Sequence, residues 1–155
     1  MNDLSDILRP EAVLAGLPVA TKKALFVQLA TVAAGIVTVD ARDAADRLAA
    51  REKLGSTGFG GGVAIPHAKM PGLDQVTGVF ARLVQPIGFQ AVDDLPVDLV
   101  FMLLSPVEPG ADHLKALARV SRRLRDAAFL EKLRGAASRD ALYALFTDDG
   151  VRGAA

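Results

Sequence analysis

The chain has 155 residues, of which 51% are hydrophobic, and its 18 basic and 18 acidic side chains leave no formal net charge. A chain this long and apolar can bury a sizeable core, so disorder is excluded and a single domain is expected over 1–155, with its core at about 4–146. The balanced charge gives no global attraction to nucleic acid or anionic membranes, and the absence of cysteine excludes disulfides, thiolate metal sites and a cysteine nucleophile.

The predicted elements alternate between strands and helices along the chain. Thr21 and Asp40 can each cap a helix, and Gly55 suits the turn after the second one. In chain order the elements are a short strand or turn at 13–17, helices at 21–34 and 40–54, a loop at 56–62, strands at 63–65, 76–84 and 97–105, and helices at 111–125, 126–135 and 138–146. The strand at 97–105 is nearly continuous in apolar residues, which is typical of a central strand covered on both faces. This interleaving predicts an α/β fold around a single sheet.

The two ends of the chain carry little structural signal. Asp3 and Asp6 lie near the N-terminus, which lacks the basic-then-apolar pattern of a secretion signal. The longest apolar runs are far too short to span a bilayer. We therefore expect a cytoplasmic protein without membrane insertion, and a frayed tail at 150–155.

His67 is the most informative residue of the chain. It is one of two histidines, and it follows the apolar run at 63–65 and Pro66, which ends a strand ladder because proline has no N–H. The sequence thus predicts His67 at a strand end, facing a cleft and beside the glycine-dense stretch at 58–62. Such glycines can offer backbone N–H groups to an anion, and an imidazole beside them could carry a phosphoryl group. The alternative interpretation is a surface or packing histidine.

Two segments resemble a known active-site signature. They are Arg-Glu-Lys-Leu-Gly-Ser-Thr-Gly at 51–58 and Gly-Val-Ala-Ile-Pro-His-Ala-Lys at 62–69. Together they resemble the enzyme IIA (EIIA) proteins of the phosphotransferase system, of the fructose–mannitol type and its nitrogen-regulatory subgroup. The resemblance runs from about Leu4 to Phe146, and further similar residues lie at 86–87, 96–100 and 112–114. Ala68 departs from it, since many members have glycine there.

The resemblance implies a mixed sheet with helices on both faces, no bound cofactor, and a role for each of three side chains. His67 would accept the phosphoryl group through Nε2, while its other ring nitrogen donates to a protein acceptor that fixes the tautomer. His113, at the start of a helix, would donate to phosphoryl oxygens or orient His67. Arg51 would pair with the phosphoryl oxygens. Ser56, Thr57 and Gly58 are implied as phosphate-binding residues.

Each of these residues also has a plainer interpretation. Arg51 continues a stripe with Asp43 and Arg47 that is typical of a solvated, salt-bridged helix face. His113 can be a partly exposed residue at a helix cap. Lys69 is a weaker candidate, because a lysine after a strand is usually solvated.

Other kinds of site find little support in the sequence. Two histidines without cysteine give no zinc set, and the glycine loop lacks the lysine of a nucleotide-binding P-loop, so no metal site is predicted. A basic helix stripe is either a solvated face or an anionic docking site. Its members are Lys115, Arg119 and Arg123, with Arg122 and Arg125 nearby.

The sequence therefore predicts a nitrogen-regulatory EIIA. It would take a phosphoryl group on His67 from an HPr-like (NPr) phosphocarrier protein and regulate target proteins according to its phosphorylation state. Nucleic acid is not an expected partner. Two alternatives stay open: a fructose- or mannitol-specific EIIA that relays phosphate to a transporter, and a binding module that no longer transfers phosphate. The absence of a fused transporter favours regulation over relay.

Overall fold

In the computed structural model, which describes residues 3–108 and 110–147, six strands form one mixed sheet and five helices pack against it. The strands are β1 (Leu8–Leu17), β2 (Gly58–Gly60), β3 (Val63–Ala64), β4 (His67–Met70), β5 (Thr77–Ile87) and β6 (Val97–Pro106). The helices are α1 (Lys22–Ala34), α2 (Ala41–Lys53), α3 (Asp112–Leu124), α4 (Ala127–Gly135) and α5 (Arg139–Thr147). The α/β prediction is confirmed, and the tail expected at 150–155 lies outside the described residues. None of these helices is long and apolar enough to cross a bilayer.

The strand β6 is the centre of the sheet, as the sequence predicted. The strand order is β1-β5-β6-β3-β2, and β4 pairs with β6 on the same side as β3. Phe101 of β6 lies opposite Phe80 of β5, and both rings contact Phe146 of α5, with centroids 5.4 and 4.7 Å apart. Alternate residues point to the other face, and they are buried as well, so helices cover both faces.

The predicted helix caps are present. The Thr21 hydroxyl accepts from the amide of Ala24 at 3.1 Å, and the Asp40 carboxylate accepts from the amide of Asp43 at 3.1 Å. These bonds satisfy N–H groups that have no partner inside the first helical turn. Local sequence therefore suffices to place the start of α1 and of α2.

Two strands extend beyond their predicted bounds of 13–17 and 76–84, and each extension contains a proline. β1 begins at Leu8 and contains Pro10, which an edge strand with a register shift before Val13 tolerates. β5 continues to Ile87 through Pro86, beyond Leu83, where its pairing with β1 ends. A missing N–H costs no ladder bond at either place.

The glycine-rich stretch forms a hairpin rather than an open loop. β2 and β3 are antiparallel, and Gly61 and Gly62 turn between them with φ of +70° and +82°, the left-handed region that favours glycine. The Gly62 carbonyl accepts from the amides of Asp98 and Leu99 at the start of β6. Gly62 precedes His67 by five residues, or roughly 16 Å of extended chain. No residue of 58–62 lines the pocket that contains His67.

Pro66 interrupts a strand rather than ending it. β3 runs parallel to β6 beside Leu99 and Val100, and β4 resumes the same pairing with His67 beside Leu103. Between them, the Pro66 carbonyl still accepts from the Leu103 amide at 2.9 Å. His67 is thus the first residue of a strand that the sequence analysis did not predict.

Candidate functional site

An open pocket of about 500 Å³ gathers two histidines and three cations from α2, β4 and α3. Its lining residues are Arg47, Ala50, Arg51, His67, Ala68, Lys69 and His113. The lining contains no carboxylate, so its field is positive and favours an anion. The structure thus brings together three residues that lie far apart in sequence: Arg51, His67 and His113.

The His67 ring is held in one tautomer. Its Nδ1 lies 2.8 Å from the carbonyl oxygen of Ile65. A carbonyl oxygen only accepts, so Nδ1 carries the proton and Nε2 keeps its lone pair. Burial lowers the pKa of His67 below its ordinary value of 6.5, and the nearby Arg51 cation lowers it further, against the opposing effects of the Ile65 bond and Glu52. The result is a neutral imidazole with a nucleophilic Nε2.

His113 lies in the first turn of α3, close to His67. The two ring centroids are 5.5 Å apart and the planes are tilted by 49°. Burial lowers the pKa of His113, and the neighbouring His67 and Lys69 lower it further. Its Nδ1 contacts the hydroxyl of Ser105 at 2.5 Å. Both rings are therefore neutral near pH 7.

We expect both histidines to titrate with midpoints below 6.5, because the fold disfavours their charged forms. A depressed histidine pKa means that the unfolded chain binds more protons, so this contribution to stability is complete above about pH 6.5 and is lost as the pH falls. Nuclear magnetic resonance titration of the ring signals measures the midpoints. Between pH 7.5 and pH 5.5, the free energy of unfolding should fall less for His67→Gln than for the wild type. A midpoint above 6.5 would contradict the expectation.

Arg51 lies in the last turn of α2 and turns toward the segment that follows. Its Nη1 donates to the carbonyl oxygen of Gly55 at 3.0 Å, and no ion pair to it is found in the described ranges. Arg47, one turn earlier, pairs with Asp43 at 3.0 Å and donates to the Lys69 carbonyl. The two arginines of the stripe therefore differ: Arg47 forms the salt bridge, whereas the Arg51 guanidinium has N–H groups that can bind an anion.

Ser56, Thr57 and Gly58 do not line the pocket. The Ser56 hydroxyl donates to the Phe89 carbonyl at 2.8 Å and accepts from the Gly58 amide at 3.1 Å. The amide and hydroxyl of Thr57 both donate to the Glu52 carboxylate, at 3.0 and 2.6 Å. These donors hold the segment after α2 in place, so binding phosphate would require breaking bonds that already exist.

Glu52 is a buried carboxylate whose role the sequence analysis missed. Its side chain is 6% exposed and pairs with Lys22 of α1 at 2.9 Å, in addition to its two bonds from Thr57. The sequence does indicate that Glu52 is buried, because it continues the buried stripe of Ala44 and Leu48 at a spacing of four residues. The network ties α1 and α2 to the segment that positions the Gly55 carbonyl for Arg51.

Glu52→Ala should lower the free energy of unfolding by about 2–3 kcal/mol, because it leaves Thr57 and Lys22 without their shared acceptor. Glu52→Gln keeps an acceptor oxygen and should cost less. Urea denaturation measures both, with the exposed neighbour variant Lys53→Ala as a control. A loss for Glu52→Ala no larger than for Lys53→Ala would show that the network adds little.

Two members of the basic stripe of α3, Arg119 and Arg123, form hydrogen bonds within the protein. Arg119 forms two hydrogen bonds of 2.9 Å with the Asp6 carboxylate and one of 2.7 Å with the Asp3 carbonyl. Arg123 donates to the Leu145 carbonyl at the end of α5. The prediction of a solvated face is therefore wrong for these two residues, which tie α3 to other parts of the chain, and the docking site stays an untested prediction.

The chain is similar to known proteins along most of its length. Residues 6–149 match the family model described as phosphoenolpyruvate-dependent sugar phosphotransferase system, EIIA 2. A nitrogen regulatory protein of Bradyrhizobium diazoefficiens is 48% identical over 142 residues, which cover 92% of this chain and 93% of that protein. A fructose-specific EIIA component of Haloferax volcanii is 41% identical over 140 residues, which cover 90% of this chain and 91% of that protein. The crystal structure of nitrogen regulatory protein IIA-Ntr from Neisseria meningitidis superposes with a TM-score of 0.88 at 35% identity, covering 93% and 99% of the two chains.

Proposed function

The chain belongs to the EIIA type-2 family of the phosphoenolpyruvate-dependent sugar phosphotransferase system, in its nitrogen-regulatory subgroup, and from this premise we propose that His67 accepts a phosphoryl group from the phosphohistidine of an HPr-like (NPr) carrier. Family membership implies phosphocarrier partners and a regulatory role. The observation that carries the proposal is the fixed tautomer of His67: its Nδ1–H bonds to Ile65, and Nε2 remains the nucleophile in a cationic pocket.

The transfer replaces one phosphorus–nitrogen bond by another. The bond from phosphorus to the carrier's ring nitrogen breaks as the bond to Nε2 of His67 forms, and its electron pair returns to the carrier's imidazole. His67 keeps its Nδ1 proton throughout. The hydrogen bond from Nδ1 to the Ile65 carbonyl strengthens as the ring gains positive charge, so it stabilises the product as well as the tautomer.

The cations of the pocket stabilise the charge in transit. A loosely bonded, metaphosphate-like group spreads negative charge over its oxygens, and enzymes of this kind act by positioning and electrostatic stabilisation. Arg51 offers the forked guanidinium that matches two such oxygens, and Lys69 and His113 lie on the same pocket. No bound cofactor takes part in this step.

Regulation follows from the charge that phosphorylation adds. A phosphoryl group brings about two negative charges to a pocket that is otherwise positive. A target protein that buries this surface without offering a counter-charge would have to desolvate them, so such targets bind the unphosphorylated form. Phosphoenolpyruvate-driven carriers act in the cytoplasm, which is therefore the proposed location.

A second candidate is a sugar-specific EIIA that relays phosphate to a fructose- or mannitol-type transporter. The fructose-specific relative from Haloferax volcanii, at 41% identity, is the observation that favours it. A module that keeps the fold but transfers nothing has less support, because the described pocket retains Arg51, His67 and His113 together.

One experiment separates the three candidates. The protein is incubated with phosphoenolpyruvate, enzyme I and an HPr-like carrier, and its intact mass is measured. Gain of one acid-labile phosphoryl group is the expected result, and an unchanged mass would leave only the binding module. Addition of a fructose-type transporter domain then tests the relay, since a regulatory protein should keep its phosphate while a sugar-specific EIIA should lose it.

A further inference from the structure

Ser105 is a buried hydroxyl in contact with the candidate site. It lies near the end of β6, opposite Lys69 of β4, and is 0% exposed. α3 begins at Asp112 and returns over the end of β6, so that His113 Nδ1 comes within 2.5 Å of the Ser105 hydroxyl. From the sequence alone, Ser105 is only the last residue of the strand predicted at 97–105.

The direction of this hydrogen bond follows from burial. A buried hydroxyl has one proton to donate, and leaving it without an acceptor is costly. Across residues 3–108 and 110–147, the partner found for the Ser105 hydroxyl is His113 Nδ1. Ser105 therefore donates, Nδ1 accepts, and the neutral His113 ring carries its proton on Nε2.

The two rings of the pocket then hold opposite tautomers. His67 has its proton on Nδ1 and a lone pair on Nε2, whereas His113 has a lone pair on Nδ1 and a proton on Nε2. With centroids 5.5 Å apart, one ring can attack phosphorus while the other donates to a phosphoryl oxygen. In the other tautomer, His113 would present a lone pair that repels the dianion.

We propose that Ser105 is a positioning residue for phosphoryl transfer: its hydroxyl holds His113 in the tautomer whose Nε2–H donates to the phosphoryl group on His67. This role rests on the proposed function, because it acts only if His67 carries phosphate. It adds Ser105 to the site without direct contact between Ser105 and the phosphoryl group.

The tautomers can be read directly in the unphosphorylated wild type. Nitrogen-15 chemical shifts of the two imidazole rings at neutral pH distinguish a protonated ring nitrogen from a bare one. We expect protonated Nε2 for His113 and protonated Nδ1 for His67. In Ser105→Ala, His113 should become a mixture of tautomers while His67 stays unchanged. A wild-type His113 protonated on Nδ1 would overturn the proposal, whatever the transfer rate.

A double-mutant cycle tests the functional half of the proposal. Ser105→Ala should slow transfer from the phosphorylated carrier by roughly 5- to 10-fold in the wild-type background, as loss of one oriented hydrogen bond, with little change in KM for the carrier. In a His113→Ala background it should have no further effect, because its partner is gone. Ser105→Thr keeps the hydroxyl and should restore most of the rate. Melting temperatures identify any variant that fails to fold.

The outcomes distinguish this inference from the proposed function. Equal slowing by Ser105→Ala with and without His113 would mean that Ser105 acts through general packing, and would overturn its positioning role alone. A wild type that accepts no phosphate would overturn the proposed function and this role with it. Slowing confined to the background that contains His113 supports both.

Discussion

His67→Ala is expected to take up no phosphoryl group from the phosphorylated carrier, while its fold stays that of the wild type. The substitution removes the nucleophilic Nε2 itself, so the loss of phosphorylation should be complete rather than partial. The His67 side chain is half-buried, and the hydrogen bond found for it in the described part of the chain goes to the Ile65 carbonyl, so the stability cost should stay near 1 kcal/mol. Intact mass after incubation with phosphoenolpyruvate, enzyme I and carrier measures the uptake.

His113→Ala is the matched control for this prediction. It removes the other ring of the same pocket but leaves Nε2 of His67 in place, so it should still take up one phosphoryl group, more slowly. Acid-labile phosphate on His67→Ala would move the acceptor to His113 or elsewhere. The circular dichroism of both variants shows whether the fold is retained.

Arg51→Ala should slow phosphoryl transfer by roughly 10²-fold or more, because it removes a charged donor that stabilises the transferring group. The Arg51 side chain is half-buried at a helix end, and within the described structure it bonds only to the Gly55 carbonyl. The free energy of unfolding should therefore change by about 0.5 kcal/mol or less. The measurement pairs the transfer rate with the melting temperature. Arg51→Lys keeps the charge without the forked geometry and should fall between the wild type and Arg51→Ala.

Arg47→Ala provides the comparison one helical turn away. Arg47 lines the same pocket, but its guanidinium is engaged by Asp43 and by the Lys69 carbonyl. Its removal should change the rate much less than removal of Arg51, with a stability effect of about 0.5 kcal/mol. An unchanged rate in Arg51→Ala, or equal slowing in both variants, would return Arg51 to the role of a solvated helix-end cation.

Features set by local chemistry could be predicted from the sequence. Thr21 and Asp40 cap helices because their side chains reach amides three residues ahead, and that needs no knowledge of the rest of the chain. The apolar run of β6 likewise indicates a strand buried on both faces. The short strand β4 could not be predicted in this way, because it exists through pairing with residues far along the chain, such as His67 beside Leu103.

The three side chains of the candidate site could be identified from the sequence, and the residues that hold them in place could not. Arg51, His67 and His113 were identified through their resemblance to a family signature, and the structure brings them to one pocket. The hairpin at the glycines was not predicted, because a positive φ serves a hairpin turn as well as an anion-binding loop. The contact of Ser105 with His113 depends on how α3 returns over the sheet, which no local pattern encodes.

The attachment of β4 to the central strand has a consequence for how a signal leaves this molecule. His67 is held beside β6 by the parallel pairing with Leu103, which includes the bond from the Leu103 amide to the Pro66 carbonyl. If His67 is phosphorylated as proposed, we expect the added charge to change the surface potential of the pocket while the paired backbone beneath it stays in place. A partner that senses this charge would then have to contact the pocket itself, so the carrier and the targets would compete for one binding surface. Their concentrations and affinities would decide which of them is bound.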